Sequence, residues 1–223
     1  TAAPPRPALR GVPVVTRRVC FYHAGCPDGF GAAWTLSRVW RGEGEFIARG
    51  HDDRADARRF EDALLVFADI APANDELRSL CEHAAQVIVL DHHVTARDRF
   101  ESDLELANAV AAEGHEVHFD LTHSGAMLTW LTFAGDQEPP DLLRYVEDQD
   151  LWNWKLPASQ EVNAAIDSYP HDFEVWSELA TRKVSELAAE GAPILRANAM
   201  AVERSLRQAK PLRVAGRRVE AVN

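Results

Sequence analysis

The sequence predicts an α/β fold with a mostly parallel five-stranded sheet, helices on both faces, and a helical linker after it. Two observations lead to this prediction. Short apolar runs, some rich in β-branched residues, recur along the first half of the chain, as buried parallel strands require. Stretches with helical apolar spacing separate these runs. Such alternation of strands and helices is typical of a parallel sheet that is covered on both faces.

Five strands are predicted in the first 120 residues. They are Val14 to Tyr22, Glu45 to Ala48, Ala63 to Ala68, Val87 to Leu90 and His115 to Asp120. The third and fourth are continuous apolar runs, which indicates strands buried on both faces. The fifth alternates between polar and apolar residues, which indicates a position near an edge of the sheet.

Helices are predicted between and after these strands. They are Phe30 to Trp40, Asn74 to Ala84, a helix capped by Ser124 that runs to about Phe133, and one from Pro140 to about Glu147. Gly29 and Gly31 are expected to form a tight turn at the start of the first helix, where free N–H groups would favour an anion. This turn is therefore a candidate phosphate site.

The second half of the chain changes in character. Residues 173–206 are dominated by helix formers, with an interruption expected around Gly191 to Pro193, and residues 212–223 resemble the beginning of a hairpin. We therefore predict four parts. They are a flexible N-terminal tail (1–11), a catalytic domain (12–160), a helical linker (161–210) and the start of a truncated accessory domain (211–223).

The composition indicates the cellular compartment and excludes several classes of protein. No apolar stretch of the 223 residues approaches the roughly 20 residues needed to span a bilayer, and residues 1–7 lack the pattern of a signal peptide. We therefore expect a cytoplasmic protein with no membrane partner. Three cysteines without paired zinc spacing argue against a disulfide framework and against a structural zinc site.

The net charge of the chain limits which binding partners are expected. The net charge of −11 argues against a broad electrostatic grip on nucleic acid, so no long duplex is expected as a substrate. A nucleotide or a short single-stranded oligonucleotide remains compatible, because bound divalent cations would reverse the local charge. The composition is also compatible with a homodimer.

Three of the predicted strands deliver an acid or an imidazole at their carboxyl end. His23 and then Asp28 follow the first strand, Asp69 follows the third, and Asp91 to His93 follow the fourth. If these strands are parallel neighbours, their ends lie roughly 5 Å apart per strand step, so the side chains can converge on one pocket. The convergence favours a metal site over separate helix caps and solvated loop acids, which are the simpler alternative for each residue alone.

Five segments in this order carry a family resemblance. They are His23 to Gly31, Asp69 to Pro72, Asp91 to His93, Ser124 to Ala126 and Asp148 to Trp152. Together they resemble the DHH phosphoesterase superfamily, in its metal-dependent phosphodiesterase and oligonucleotide-hydrolase branch. The resemblance spans roughly residues 14 to 155 and implies a phosphohydrolase that activates water with two metal ions.

The resemblance also implies roles for individual residues. The implied metal ligands are His23, Asp28, Asp69 as the candidate bridge, His92, and either Asp148 or Asp150, with Asp148 slightly favoured. His93 would contact a substrate phosphate and Asp91 would support its neighbours, although these two roles could be exchanged. His123, Ser124 and Gly125 would lie on the substrate side. Oxygen and imidazole ligands suit Mn²⁺ or Mg²⁺, and two ions about 3.5–4 Å apart could share a carboxylate.

One position departs from the family pattern. Cys26 stands where the family has the earlier of two acids, so one metal position is in doubt. A thiolate could bind Mn²⁺ or Zn²⁺, but a small buried thiol is the commoner role of a cysteine and is the favoured interpretation. Two other functions therefore stay open. They are an inorganic pyrophosphatase-like hydrolase and a metal- or nucleotide-binding module with little turnover.

Overall fold

The computed structural model describes residues 17–222. The predicted N-terminal tail, the start of the first predicted strand and Asn223 lie outside the described residues. Within residues 17–222 the α/β class and the five-stranded parallel sheet are confirmed. A separate two-stranded antiparallel hairpin lies at the end of the described chain.

The sheet consists of β1 (Arg18–His23), β2 (Glu45–Arg49), β3 (Leu64–Ala68), β4 (Gln86–Asp91) and β5 (Glu116–Phe119). The strands lie in the order β2-β1-β3-β4-β5, and all neighbouring pairs are parallel. The order changes direction between β1 and β3. In open α/β sheets, ligands bind beyond the carboxyl ends of the strands at such a point.

The helices of the described residues cover both faces and continue beyond the sheet. They are α1 (Pro27–Val39), α2 (Asn74–His83), α3 (Val94–Glu101), α4 (Leu104–Ala112), α5 (Gly125–Phe133), α6 (Asp141–Asp150), α7 (Ser159–Ile166), α8 (Phe173–Leu179) and α9 (Val184–Arg207). A short 3₁₀ turn covers Ala57–Phe60. Two of the helices, α3 and α4, lie between β4 and β5, where no helix is predicted from the apolar spacing.

Alternate residues of each central strand enter two different cores. Phe21, Phe67 and Val89 pack with α2, α4 and the 3₁₀ turn, whereas Val66 and Ile88 pack with α1 and α5. Successive side chains of a strand point to opposite faces, so a strand covered on both sides must be apolar at nearly every position. This explains the continuous apolar runs in the sequence.

The first helix starts earlier than predicted. Cys26 is its N-cap and Pro27 its first residue, which is the position where proline fits a helix best. Gly29 therefore lies inside the first turn rather than before it. A Cβ at Gly29 would meet the carbonyl oxygen of His23 at 2.3 Å, so glycine allows α1 to pack directly against the end of β1.

The predicted interruption around residues 191–193 is wrong. Gly191 and Pro193 both lie inside α9, and the break falls earlier, between α8 and α9. A Cβ at Gly191 would overlap the carbonyl oxygen of Glu161, so this glycine allows α9 to cross α7 at close range. Trp176 and Leu187 are buried in the same core as α1, α5 and α6. Much of the predicted linker thus packs against the sheet domain.

The predicted hairpin is present in the described residues. It pairs β6 (Lys210–Val214) with β7 (Arg217–Ala221) in antiparallel register. Its side chains are mostly exposed. None of the helices between residues 17 and 222 is both long and apolar enough to cross a membrane.

His115 has a structural role at the start of β5. Its Nδ1 accepts a hydrogen bond from the backbone N–H of Val87, 3.1 Å away, and its Nε2 lies 3.1 Å from the carbonyl oxygen of Cys81. Burial lowers the pKa of His115. A protonated imidazole could no longer accept from Val87, so this contribution to stability is present above the ordinary pKa of 6.5 and is lost as the pH falls through the lowered value.

Replacing His115 by leucine is expected to lower the free energy of unfolding by about 2 kcal/mol or more near neutral pH, because two buried backbone groups lose their partner. The variant should also lose part of the wild-type decrease in stability between about pH 7 and about pH 5. Urea unfolding at both pH values measures this. His118→Leu is the matched control, since His118 is half-buried and its hydrogen bond within residues 17–222 goes to Glu116 of its own strand. Equal pH dependence in wild type and His115→Leu would contradict the assignment.

Candidate metal centre

The end of β1 and the start of α1 supply the first part of the site. His23 is the last residue of β1, and a turn through Gly25, at φ 79°, leads directly to the helix. The turn brings Cys26 Sγ to 3.3 Å from His23 Nδ1. Asp28 follows in the first turn of α1 and is buried. Three groups that can bind a metal therefore come from six residues of sequence.

Asp69, directly after β3, lies at the centre of the site. Its Oδ2 is 3.4 Å from Cys26 Sγ and 3.5 Å from His23 Nδ1, and its Oδ1 is 3.1 Å from His92 Nε2. The residue has φ 61°, a left-handed conformation that aspartate and asparagine tolerate better than most residues. The two oxygens of one carboxylate thus face two different groups of side chains.

The end of β4 supplies the next three residues. Asp91 is buried, and its Oδ1 accepts hydrogen bonds from the backbone N–H groups of His92 and His93. The same oxygen lies 2.6 Å from His93 Nδ1. Asp91 therefore orients the two residues that follow it.

The start of α5 holds Asp28 in place. The backbone N–H groups of Gly125 and Ala126 donate to the two oxygens of Asp28, at 2.7 and 2.9 Å. The free N–H groups at a helix start favour a negative charge, so the helix takes up this carboxylate. One oxygen, Asp28 Oδ2, also lies 3.7 Å from His92 Nε2.

The structure places Asp150, and not Asp148, at this site, which reverses the slight preference drawn from the sequence. α6 does not end near Glu147 but continues to Asp150. Residues two apart on a helix point in nearly opposite directions, so only one of the two acids can face the cluster. Asp150 Oδ2 lies 3.4 Å from His92 Nε2. Asp148 is buried and accepts from the backbone N–H groups of Lys155 and Leu156, which closes the turn after the helix.

The acids of the cluster perturb each other's ionisation. Burial, followed by the charges of Asp69 and Asp150, raises the pKa of Asp28 well above its usual range. Burial also raises the pKa of Asp150. For Asp69, burial acts in the same direction, but hydrogen bonds from His23 and His92 outweigh it and hold the pKa well below its usual range.

Neighbouring carboxylates raise the pKa values of His92 and His93. Burial would lower the pKa of His92, but its hydrogen bond to Asp69 and the charge of Asp28 raise this pKa to about 9. For His93, the hydrogen bond to Asp91 raises the pKa. Protons and imidazolium charge therefore balance an excess of buried carboxylate in this cluster, and a divalent cation could take over that balance.

The donor atoms fit a metal centre. Three sets lie close enough together to hold an ion, each with all its ligand atoms within 4.8 Å of one another. They are His23 with Cys26 and Asp69, Asp28 with His92 and Asp150, and Asp69 with Asp91, His92 and His93. The buried Oδ2 of Asp150 lies 3.4 Å from His92 Nε2 but accepts no hydrogen bond from any residue between 17 and 222. A buried carboxylate oxygen without a hydrogen bond is costly. A cation would satisfy it.

The predicted substrate-side residues are placed differently from one another. Ser124 and Gly125 are buried, and their N–H groups donate to Glu147 and Asp28, so neither offers a free backbone donor to a substrate. Gly125 thus holds Asp28 and Ser124 holds Glu147, and the predicted contact of both residues with a substrate stays a prediction. His123 is half-buried, and its Nδ1 lies 2.8 Å from Glu147 Oε1. That hydrogen bond raises the pKa of His123.

His51 is not predicted as a member of the site, and Cys26 is predicted to be a buried thiol rather than a ligand. The ring of His51 lies 4.7 Å from the ring of His23 and 5.9 Å from that of His93. His51 comes two residues after the end of β2, so the rule that identified His23 and Asp69 could have identified it too. Cys26 is only partly buried, and its contacts with His23 and Asp69 differ from those of the buried thiol that the sequence favours.

Substitutions of the two acids of α6 are expected to affect different properties, metal binding for Asp150 and stability for Asp148. Asp150→Asn should weaken binding of Mn²⁺ while leaving the free energy of unfolding nearly unchanged, because Asp150 Oδ2 contacts His92 and accepts no hydrogen bond from any residue between 17 and 222. Asp148→Asn should retain Mn²⁺ binding and lower the free energy of unfolding by about 1–2 kcal/mol, because it holds the turn after α6. Calorimetric titration and urea unfolding of both variants distinguish the roles. The reverse pattern would restore Asp148 as the ligand.

Comparison with known proteins adds little about chemistry. No protein-family model matches the chain. The chain is similar to an uncharacterized protein of Acanthamoeba polyphaga mimivirus, with 25% identity over 189 residues. The similar region covers 77% of this chain and 42% of the viral protein, so the chain spans less than half the length of that relative. The name of the relative states no activity.

Proposed function

We propose that this chain is a metal-dependent phosphohydrolase of the DHH phosphoesterase superfamily, which cleaves a phosphodiester or a terminal phosphate of a nucleotide or short oligonucleotide. The observation that carries the proposal is the position of Asp69. One of its oxygens faces His23 and Cys26, and the other faces His92. A carboxylate with one oxygen toward each of two donor groups is suited to bridge two divalent cations.

The residues divide naturally between two cations, for which we propose Mn²⁺ or Mg²⁺. His23 and Asp69, with Cys26 beside them, would hold one ion, and Asp28, His92 and Asp150 would hold the other together with Asp69. When bound, such ions lower the pKa of a water molecule and hold phosphoryl oxygens during in-line attack. The backbone at the start of α5 positions the ligands of the second ion, because it donates hydrogen bonds to both oxygens of Asp28.

His93 is the proposed phosphate contact. Its Nδ1 is engaged by Asp91, and its side chain is 36% exposed, more than that of His92 beside it. With Nδ1 donating to Asp91, the ring presents Nε2 as its other nitrogen. The hydrogen bond to Asp91 raises the pKa of His93, so the protonated ring, which can donate to a phosphate oxygen through Nε2, persists to a higher pH than in an unperturbed histidine. Asp91 acts through His93 and is a positioning residue.

Hydrolysis assays with Mn²⁺ and with Mg²⁺ test the proposal. Bis-p-nitrophenyl phosphate is the first substrate, because it is small and depends little on contacts away from the metal centre, and short oligonucleotides and pyrophosphate follow. We expect metal-dependent cleavage of the diesters that disappears with excess chelator and returns when metal is restored. Cleavage of pyrophosphate alone would favour the pyrophosphatase-like alternative. Stoichiometric metal binding without hydrolysis of any of these substrates would contradict the proposal and favour a binding module.

A further inference from the structure

Cys26, His23 and Asp69 form a compact triangle of three different donor atoms. Cys26 Sγ lies 3.3 Å from His23 Nδ1 and 3.4 Å from Asp69 Oδ2, and the last two atoms are 3.5 Å apart. The three edges are thus nearly equal. In a tetrahedral site with metal–ligand distances of about 2.1 Å, neighbouring ligands lie about 3.4 Å apart. The triangle therefore has the size of one face of such a site, with a fourth position left open.

The sulfur is held by the start of α1. Cys26 is the N-cap of this 13-residue helix, and the N–H of Gly29 donates to Sγ at 3.3 Å. Burial and the charge of Asp69 raise the pKa of Cys26 and outweigh the hydrogen bond from Gly29, so the side chain is a thiol until a cation displaces its proton. The thiolate is the form of cysteine that binds metals. Coordination would replace the Sγ–H bond by a bond from sulfur to the cation, and the proton would leave to the solvent.

The two halves of the cluster differ in chemical hardness. The first half, formed by His23, Cys26 and Asp69, offers a nitrogen, a sulfur and an oxygen. The second half, formed by Asp28, His92 and Asp150, offers one imidazole and two carboxylates. Thiolate ligands select cations such as Zn²⁺, while carboxylate-rich sites suit Mn²⁺ or Mg²⁺. Two sites for the same hard cation would not require a cysteine at position 26.

We propose that the triangle of His23, Cys26 and Asp69 is a thiophilic metal site that prefers Zn²⁺ to Mn²⁺ or Mg²⁺. The half formed by Asp28, His92 and Asp150 takes the harder cation, so the protein binds two different metals. This inference rests on the proposed function for the two-ion arrangement. It goes beyond the proposed function in two ways. Cys26 becomes a metal ligand, and each half of the cluster is assigned its own class of metal.

The direct test is a titration of the full metal-free chain with Co²⁺, which substitutes for Zn²⁺ and gives a sulfur-to-cobalt charge-transfer band in the near ultraviolet when a thiolate is bound. We expect the band in the wild type, its loss in Cys26→Ser and its retention in Cys81→Ser. Cys81 is the matched control because it is a buried cysteine of α2 that belongs to none of the three candidate metal sets. X-ray absorption of the zinc-loaded protein should show a Zn–S distance of about 2.3 Å.

A second measurement needs no variant. Alkylation of Cys26 in the wild type, followed by mass spectrometry, should be slowed by Zn²⁺ and not by Mg²⁺. Competition between Zn²⁺ and Mn²⁺ should shift toward Mn²⁺ in Cys26→Asp, which replaces sulfur by oxygen. Absence of the cobalt band in the wild type, its persistence in Cys26→Ser, or equal alkylation with either cation would overturn the inference.

The outcomes separate this inference from the proposed function. Hydrolysis supported by Mn²⁺ together with no thiolate signature would overturn the zinc site and leave the phosphohydrolase proposal standing. A thiolate signature without hydrolysis of any tested phosphate ester would overturn the phosphohydrolase proposal and leave the zinc site standing.

Discussion

Asparagine in place of Asp69 is expected to abolish metal-dependent hydrolysis, lowering the rate by roughly a thousandfold or more, since bound metal supplies several kcal/mol of transition-state stabilisation. Asp69 faces both halves of the cluster, so one substitution removes a charged ligand from each. Calorimetric titration should therefore show weakened binding at both positions. Initial rates at saturating Mn²⁺ measure the loss of activity.

The fold should survive this substitution. Asparagine tolerates the left-handed backbone at φ 61°, which alanine would strain. Asp62→Asn is the matched control, because Asp62 also has a left-handed backbone, at φ 54°, but is exposed and lies before β3. Wild-type rates in folded Asp69→Asn would remove Asp69 from the site, and a comparable loss in Asp62→Asn would show that the effect is not specific.

Alanine in place of Gly125 is expected to damage the site through backbone contact rather than through lost chemistry. A Cβ at this position would lie 2.3 Å from Asp69 Cβ and 2.7 Å from its Cα. The start of α5 would have to move away from the end of β3, and the hydrogen bonds from Gly125 and Ala126 to Asp28 would break or lengthen. Overpacking of this kind costs about 1–3 kcal/mol.

Urea unfolding and Mn²⁺ titration of Gly125→Ala together measure this effect, and we expect lower stability and weaker binding. Gly50→Ala is the control, since a Cβ at Gly50 makes only an ordinary contact, 3.7 Å from Asp53 Oδ2. If Gly125→Ala bound Mn²⁺ as the wild type does and unfolded at the same urea concentration, the close approach of α5 to Asp69 would be refuted.

Much of the sheet could be predicted because its strands carry a strong local signal. The runs at residues 64–68 and 86–91 are buried on both faces, and burial of alternate side chains in two cores leaves nearly every position apolar. The ends of these runs are equally visible, since each apolar stretch stops at Asp69 or at Asp91. Predicting the acids at the strand ends therefore required only the chain's own pattern.

The acids of α6 show where that reasoning stops. Asp148 and Asp150 are both candidates in the sequence, and the choice depends on how far the helix continues and on which of its sides faces the sheet. The capping turn at Lys155 and Leu156 occupies Asp148, and the helix turns Asp150 toward His92. Neither fact follows from the residue types. The same holds for Ser124 and Gly125, whose burial beneath Asp28 and Asp69 depends on the packing of α5.

The sequence alone is enough to predict the α/β class, the carboxyl ends where His23, Asp69 and His92 lie, and the cysteine in place of an expected acid. These properties depend on residue type and on spacing along the chain, which local patterns record. Three features are visible only in the folded protein. β1 lies beside β3, Asp69 turns one oxygen toward Cys26 and the other toward His92, and the ring of His51 lies beside that of His23. Such contacts depend on strand order and on helix packing, because they join residues that are distant in sequence and whose distances no local pattern contains.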